Sequence, residues 1–182
     1  MSGARGLTLI DVIVALALLG TALAAIAGTV QGAFRTMLLV ERTLEVQQNA
    51  RIAVDRMAEE LRWAEAVLDD PRCAGLCTER ISVRISPHNP RRPGEAYVVT
   101  FQRDEAQREL ERRLGSAVNN LAGSIESLIF RYLGPDGTAV ARPQDVARVE
   151  VAVVASAPSP GASRAVVTEV FLRNRPAPTP TP

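Results

Sequence analysis

The feature that most constrains this chain is an apolar run from Val12 to Phe34, in which no residue is charged. As a helix, this run would be about 34 Å long, which is enough to cross a bilayer core of about 30 Å. It therefore predicts a membrane-spanning segment. Arg5 precedes the run and most of the chain follows it, so the positive-inside rule predicts a cytoplasmic N-terminus and an external C-terminal region.

A secretory signal peptide is the alternative interpretation of the same run. The sequences "ALA" at 22–24 and "AIA" at 25–27 both fit the small-residue pattern of a cleavage site. Two features count against this alternative: the run is long for a signal peptide, and helical periodicity continues beyond it.

Helical periodicity continues after Phe34, with apolar residues at steps of three and four on one face and polar residues on the other. The apolar face comprises Val46, Ala50, Ala53, Val54, Met57, Leu61, Ala64 and Leu68. No proline interrupts the pattern before Pro71, so we expect the helix to stop near Leu68. We therefore divide the helix into a spanning segment, residues 7–34, and an amphipathic continuation, residues 35–70.

After Pro71, short alternating segments separated by Gly, Pro and Asn replace the helical period and predict β-strands. Strands are expected at Arg80–Ser86, Tyr97–Arg103, Arg108–Leu114, Ser127–Tyr132, Ala147–Ala155 and Ala165–Arg173. Six strands in one or two antiparallel sheets, covered on one face by the helix, predict an α+β fold. The β domain would span residues 71–175, and a Pro-rich tail would follow at 176–182.

The composition argues against catalysis. One His and two Cys are too few for a typical zinc site, which needs three or four N or S ligands. No Ser or Cys has a recognisable base partner in the sequence. We therefore expect no enzymatic activity, no cofactor and no metal site.

The charges are mixed along the chain, which has 21 basic and 20 acidic residues, all the basic ones being Arg. A small basic patch comprises Arg91, Arg92, Arg108, Arg112 and Arg113, and it could face DNA phosphates. Acidic residues are interleaved with its second half, and no run of aromatic residues offers bases a stacking surface. A solvated face is the favoured interpretation, and nucleic acid is not an expected partner.

The N-terminal stretch "GLTLIDVIVALALLG", from Gly6 to Gly20, resembles the precursors of type IV pilins and type II secretion pseudopilins. In that family, a prepilin peptidase cleaves after a leader glycine and methylates the new N-terminal residue. The resemblance implies a leader at residues 1–6, cleavage between Gly6 and Leu7, and N-methylation of Leu7. The family prefers Phe as first mature residue and Glu as fifth, whereas this chain has Leu7 and Asp11.

The resemblance also implies a role for Asp11 in filament assembly, through pairing with the N-terminal ammonium of a neighbouring subunit. A lone charge in hydrocarbon is costly, so an ionised group kept there usually has a partner. The alternative is that Asp11 only begins the helix, where a carboxylate interacts favourably with the helix dipole. Gly20 and Gly28 stand where the family often has helix-weakening residues, although close helix packing accounts for small residues equally well.

Two further segments resemble minor pilins and J-type minor pseudopilins: "QQNARIAVDRMAEELRWA", and the strands from "SLIFRYLGPDG" to "VVTEVFLRNR". The resemblance implies a single-pass inner-membrane protein with a periplasmic or extracellular domain, incorporated into a pilus or pseudopilus, in its initiating tip complex. The implied partners are prepilin peptidase, other minor and major pilins or pseudopilins, and the inner-membrane assembly platform. A competence-associated minor pilin that contributes to DNA uptake, or an ordinary anchored or secreted protein, are the alternatives.

Cys73 and Cys77 lie close together in "DDPRCAGLCTER". A domain exported from the cytoplasm can oxidise such a pair, so we favour a disulfide. Two free thiols are the alternative, because a bridge across three residues requires a tight turn, for which Gly75 would help.

Overall fold

The computed structural model of the protein describes residues 8–73, 75–157 and 163–172. In this part of the chain one α-helix is followed by eight strands, with a short 3-10 helix, Pro143–Asp145, between the sixth and seventh strands. The elements are α1 (Leu9–Leu61), β1 (Ala64–Val67), β2 (Arg80–Ile85), β3 (Tyr97–Asp104), β4 (Glu109–Leu114), β5 (Ala117–Ala122), β6 (Ile125–Leu133), β7 (Arg148–Ser156) and β8 (Ser163–Phe171). The expected α+β architecture, a long N-terminal apolar helix with antiparallel sheets, is confirmed.

The chain divides into two compact units, residues 1–42 and 43–182. In the first unit, the described residues form a single stretch of helix, and all of them are exposed. The second unit contains the rest of α1 and both sheets.

The strands form two antiparallel sheets, whereas the sequence was compatible with either one sheet or two. One sheet has the order β1-β2-β3-β4-β5, and the other has the order β6-β7-β8. Backbone hydrogen bonds join the segments around them: the Phe130 N–H donates to the Thr78 carbonyl at 2.6 Å, and the Ile125 N–H donates to the Arg108 carbonyl at 2.7 Å. These bonds attach β6 to the loops that flank β2 and β4.

One hydrophobic core holds the second unit together. In β7, burial alternates residue by residue, as expected of a strand with one face inward. The helix contributes the face that the sequence predicted as far as Leu61, and the sheets contribute inward-facing side chains such as Phe101 and Phe130, both almost fully buried. Each large apolar side chain buried in this way contributes about 1.5–3 kcal/mol.

The prediction that the helix stops near Leu68 is wrong, because α1 ends at Leu61 and the chain turns directly into β1. The Trp63 N–H donates to the Glu60 carbonyl at 2.9 Å, which closes the last turn. The Trp63 carbonyl then accepts the Ser86 N–H at 2.9 Å, and β1 pairs with β2. Ala64 is buried in β1, and it would also be buried if the helix continued. Its position three residues after Leu61 therefore fits a helix and a strand equally well.

All six expected strands are present with boundaries within two residues of those predicted, although the expected end of the last strand, Arg173, lies outside the described residues. Two strands were missed, β1 and β5. In β5 the sequence "AVNNLA" gives a weak strand signal, because its two Asn are unfavourable in strands. Gly115, at φ +58°, starts the tight turn that brings this segment back against β4.

Candidate functional site

The start of α1 is fixed by a reciprocal set of hydrogen bonds between Thr8 and Asp11. The Thr8 backbone N–H donates to Asp11 Oδ2 at 2.9 Å, and the Thr8 hydroxyl donates to the same oxygen at 2.7 Å. In return, the Asp11 N–H reaches Thr8 Oγ1 at 3.3 Å. This is a capping box, in which two N–H groups at the helix start are satisfied by side chains.

The capping box supports the interpretation of Asp11 as a helix-start residue, and it leaves part of the carboxylate available. Both contacts fall on Oδ2, and in the described part of the chain Oδ1 accepts no hydrogen bond. Sequence reasoning missed Thr8 as the partner, although the pattern Thr-x-x-acidic before an apolar run is the signal of such a cap. The predicted cleavage and methylation residues, Gly6 and Leu7, lie outside the described residues.

An uncovered apolar surface follows the cap. Every large apolar side chain from Leu9 to Val40 is exposed, with exposures between 45% for Val12 and 78% for Leu9. By length and composition, α1 is the one helix in the described ranges that could cross a membrane. A soluble protein rarely exposes so large an apolar patch without an interaction partner or lipid to cover it.

The hydroxyl groups inside this surface are satisfied by the helix itself. Thr21 and Thr29 donate to carbonyls three residues earlier, at 2.9 and 2.8 Å, and Thr36 donates to the carbonyl four residues earlier at 3.0 Å. Such bonds suit hydrocarbon, where no water is available to pair a free hydroxyl. The helix passes without a break through Gly20 and Gly28, and neither glycine has a neighbour within 4 Å of where a Cβ would stand.

In the second unit, a disulfide joins Cys73 and Cys77, whose Cα atoms are 5.4 Å apart. Gly75 adopts φ +141° inside the bridged loop, a conformation that other residues rarely take. Asp70 is buried at the start of the loop, where its N–H donates to the Gly75 carbonyl and its carboxylate lies 2.9 Å from Arg80 Nε. Oxidation of the cysteines after export stays a prediction.

Tyr132, on β6, fastens the end of this loop to the second sheet. Its hydroxyl donates to the Cys77 carbonyl at 2.6 Å and lies 3.2 Å from the Arg80 carbonyl. Burial, with a smaller contribution from the charge of Asp70, raises the pKa of Tyr132 well above its usual range. The phenol therefore stays protonated and keeps donating.

The arginines of the predicted basic patch have separate partners. Arg91 binds Glu59 through two nitrogens, and this contact raises the pKa of Arg91. The other three pairs are Arg112 with Glu60, Arg113 with Glu111 and Arg108 with the Ser156 hydroxyl. The guanidinium of Arg92 lies over the Tyr97 ring, 5.3 Å from its centroid. Four of the five arginines are thus already neutralised or hydrogen-bonded.

The predicted absence of catalysis and metal binding is not decided by the fold. Within residues 8–73, 75–157 and 163–172, no three His, Cys, Asp or Glu side chains are grouped so that they could hold a metal ion. The single His88 is exposed, and its Nδ1 lies 3.2 Å from the Ser86 hydroxyl.

Comparison with known proteins assigns no family, because no family model and no curated protein matches the chain.

Proposed function

We propose that the chain is a minor pilin or pseudopilin, a single-pass membrane protein that assembles through its N-terminal helix into a filament or its tip complex. Prepilin peptidase removes residues 1–6 and methylates Leu7, and the assembly platform and other pilins or pseudopilins are the partners. The observation that carries the proposal is the helix start: a carboxylate, Asp11, opens an apolar helix whose first 34 described residues bury no side chain. The same helix continues as part of the core of an antiparallel domain.

Asp11 serves assembly through its charge, beyond its role in the cap. In a poorly solvated filament core, a carboxylate and an ammonium attract strongly, whereas either group alone is costly. Asp11 Oδ1 accepts no hydrogen bond in the described chain, so it can receive the Leu7 ammonium of a neighbouring subunit while Oδ2 keeps its bonds to Thr8. The pair would fix the axial register of adjacent subunits.

The experiment separates the charge of Asp11 from its cap. Asp11→Asn removes the charge and keeps a side-chain oxygen that can accept from Thr8, whereas Thr8→Ala removes the hydroxyl of the cap and keeps the charge. Both variants are produced in the native host, and three quantities are measured: intact mass, amount in the membrane, and crosslinking to other pilin-like subunits.

Both variants should reach the membrane and begin at N-methylated Leu7. Crosslinking should fall on the order of tenfold or more in Asp11→Asn, because breaking a buried ion pair leaves its partner uncompensated. Thr8→Ala should crosslink like the parent. The reverse ranking would mean that Asp11 only caps the helix, and a mature chain that starts at Ala25 or Gly28 would restore the signal-peptide alternative.

A further inference from the structure

A cleft of about 480 Å³ lies in the second unit, between the end of α1 and the β4–β5 edge of the larger sheet. Arg56 and Glu60 line it from the helix, and Arg91 and Arg92 line it from the loop before β3. The strands contribute the remaining side chains, which are Tyr97, Arg112, Asn119, Asn120 and Leu121, and Ile52 completes the helix side. Four arginines therefore surround a space that contains one carboxylate.

The four arginines divide into two that are held and two that are available. Glu59 holds Arg91, and Glu60 holds Arg112 through a bond of 2.8 Å between Arg112 Nε and Glu60 Oε1. The guanidinium of Arg56 makes no hydrogen bond or ion pair with a described residue, and that of Arg92 only covers the Tyr97 ring. Each guanidinium carries five N–H donors, so the cleft has an excess of donors that face no acceptor.

The charges in the walls indicate which anion fits. A guanidinium fork matches a carboxylate in plane and spacing, and two available forks suit two successive acidic groups. Glu60 adds negative charge to the cleft wall, and Glu59 partly neutralises Arg91, so a densely charged ligand such as a phosphate chain is disfavoured. The one aromatic ring, Tyr97, is buried beneath Arg92, so it cannot stack on a nucleic-acid base.

The β5 wall adds groups suited to a polypeptide. β5 is at the edge of its sheet, and an edge strand presents unpaired backbone N–H and C=O groups. Asn119 and Asn120 are both exposed on this strand. The Asn120 amide already donates to the Glu109 carboxylate, so Asn119 is the amide side chain that offers a donor and acceptors to a peptide group. A ligand with carboxylates on an extended backbone would engage both walls.

From this arrangement, we infer that the cleft is a docking site for an acidic, extended segment of a partner polypeptide. Arg56 and Arg92 bind its carboxylates, the Arg91–Glu59 and Arg112–Glu60 pairs form the walls, and β5 faces its backbone. This docking site involves only residues of the second unit, so it does not depend on the proposed filament function.

The test measures binding of the full chain, in detergent micelles, to a fluorescein-labelled octapeptide of alternating Asp and Ser, followed by fluorescence anisotropy. A neutral twin peptide carries Asn in place of each Asp. Arg56→Ala and Arg92→Ala remove the available cations. Arg84→Ala is the matched control, because Arg84, on β2, is exposed like Arg56 and Arg92 but lies outside the cleft.

The acidic peptide should bind about tenfold or more tightly than its neutral twin, and added salt should weaken it. Arg56→Ala and Arg92→Ala should each weaken binding about fivefold, as expected of exposed charge pairs, and Arg84→Ala should leave it unchanged. Equal binding of the two peptides, or equal loss in all three variants, would overturn the inference. Tighter binding of a twelve-nucleotide single-stranded DNA or of inorganic phosphate would show that the ligand is a phosphate and not an acidic peptide.

Discussion

At the scale of single residues, two neighbouring glutamates on α1 have different environments. Glu60 is 7% exposed, and its partner Arg112 is also mostly buried. Glu59 and its partner Arg91 are each 46% exposed. Burial decides how much each pair matters, because water screens the exposed Arg91–Glu59 pair much more than the mostly buried Arg112–Glu60 pair.

We predict that Arg112→Ala destabilises the protein by about 3–5 kcal/mol, since it leaves the buried Glu60 carboxylate without its counter-charge. Arg91→Ala, the matched control, should cost about 1 kcal/mol or less because Glu59 stays hydrated. Urea unfolding of both variants gives the two free energies of unfolding. Equal losses would mean that the depth of the pair has no energetic consequence.

Tyr132 gives a second prediction at this scale. Tyr132→Phe removes the hydroxyl and leaves the carbonyls of Cys77 and Arg80 without that donor, so the variant should lose about 1–3 kcal/mol near neutral pH.

The pH dependence of this loss follows from the raised pKa. The folded protein keeps the Tyr132 proton, whereas the unfolded chain releases it near the ordinary value of 10.0. The stabilisation from Tyr132 is therefore complete below about pH 10 and is lost as the pH rises toward the folded pKa. Stability of parent and variant should converge above about pH 10. The chain contains no Lys, and Tyr97 is common to both proteins, so unfolding curves between pH 9 and 11 isolate Tyr132.

At the scale of elements, the sequence predicted those whose periodicity is strong. The alternation in β7 defines the buried face of that strand, and the three-four spacing of Val46, Ala50 and Ala53 defines the buried face of the helix. The sequence located both faces correctly. The short elements β1 and β5 were not found. β1 extends a helical spacing by chance, and β5 is a strand because β4 pairs with it, in spite of its own propensity.

The candidate sites also divide into those that the sequence indicates and those that only the folded structure reveals. The position of Asp11 before an apolar run is visible in the sequence, and so is the short spacing of Cys73 and Cys77. The cleft is not visible, because Arg56, Arg92 and Arg112 come from a helix, a loop and a strand that only the tertiary fold brings together. Which arginines have carboxylate partners likewise depends on contacts between residues far apart in sequence.

At the scale of the whole molecule, the core belongs entirely to the second unit. Its buried side chains run from Val46 to Leu172, and none comes from residues 8–42. Residues 8–42 supply apolar surface without contributing to that core.

We predict that a chain consisting of residues 43–182 folds without detergent and unfolds within about 1 kcal/mol of the full chain, because residues 8–42 contribute no buried side chain. The full chain should require detergent or lipid to stay dispersed, since its exposed apolar helix remains. Size-exclusion chromatography and near-ultraviolet circular dichroism check both statements. Loss of the fixed tertiary signal in the shorter chain would show that residues 1–42 support the fold of the second unit.

The short connection between α1 and β1 has a mechanical consequence. Arg62 and Trp63 are the only residues between the two elements, and both are tied down: the Arg62 N–H donates to the Ala58 carbonyl, and the Trp63 carbonyl accepts from Ser86. A hinge needs residues whose dihedral angles can change freely, and this junction has none to spare. Within the second unit, the end of the helix and the larger sheet therefore turn together, so torque applied to residues 43–61 loads the β1–β2 hydrogen bonds directly.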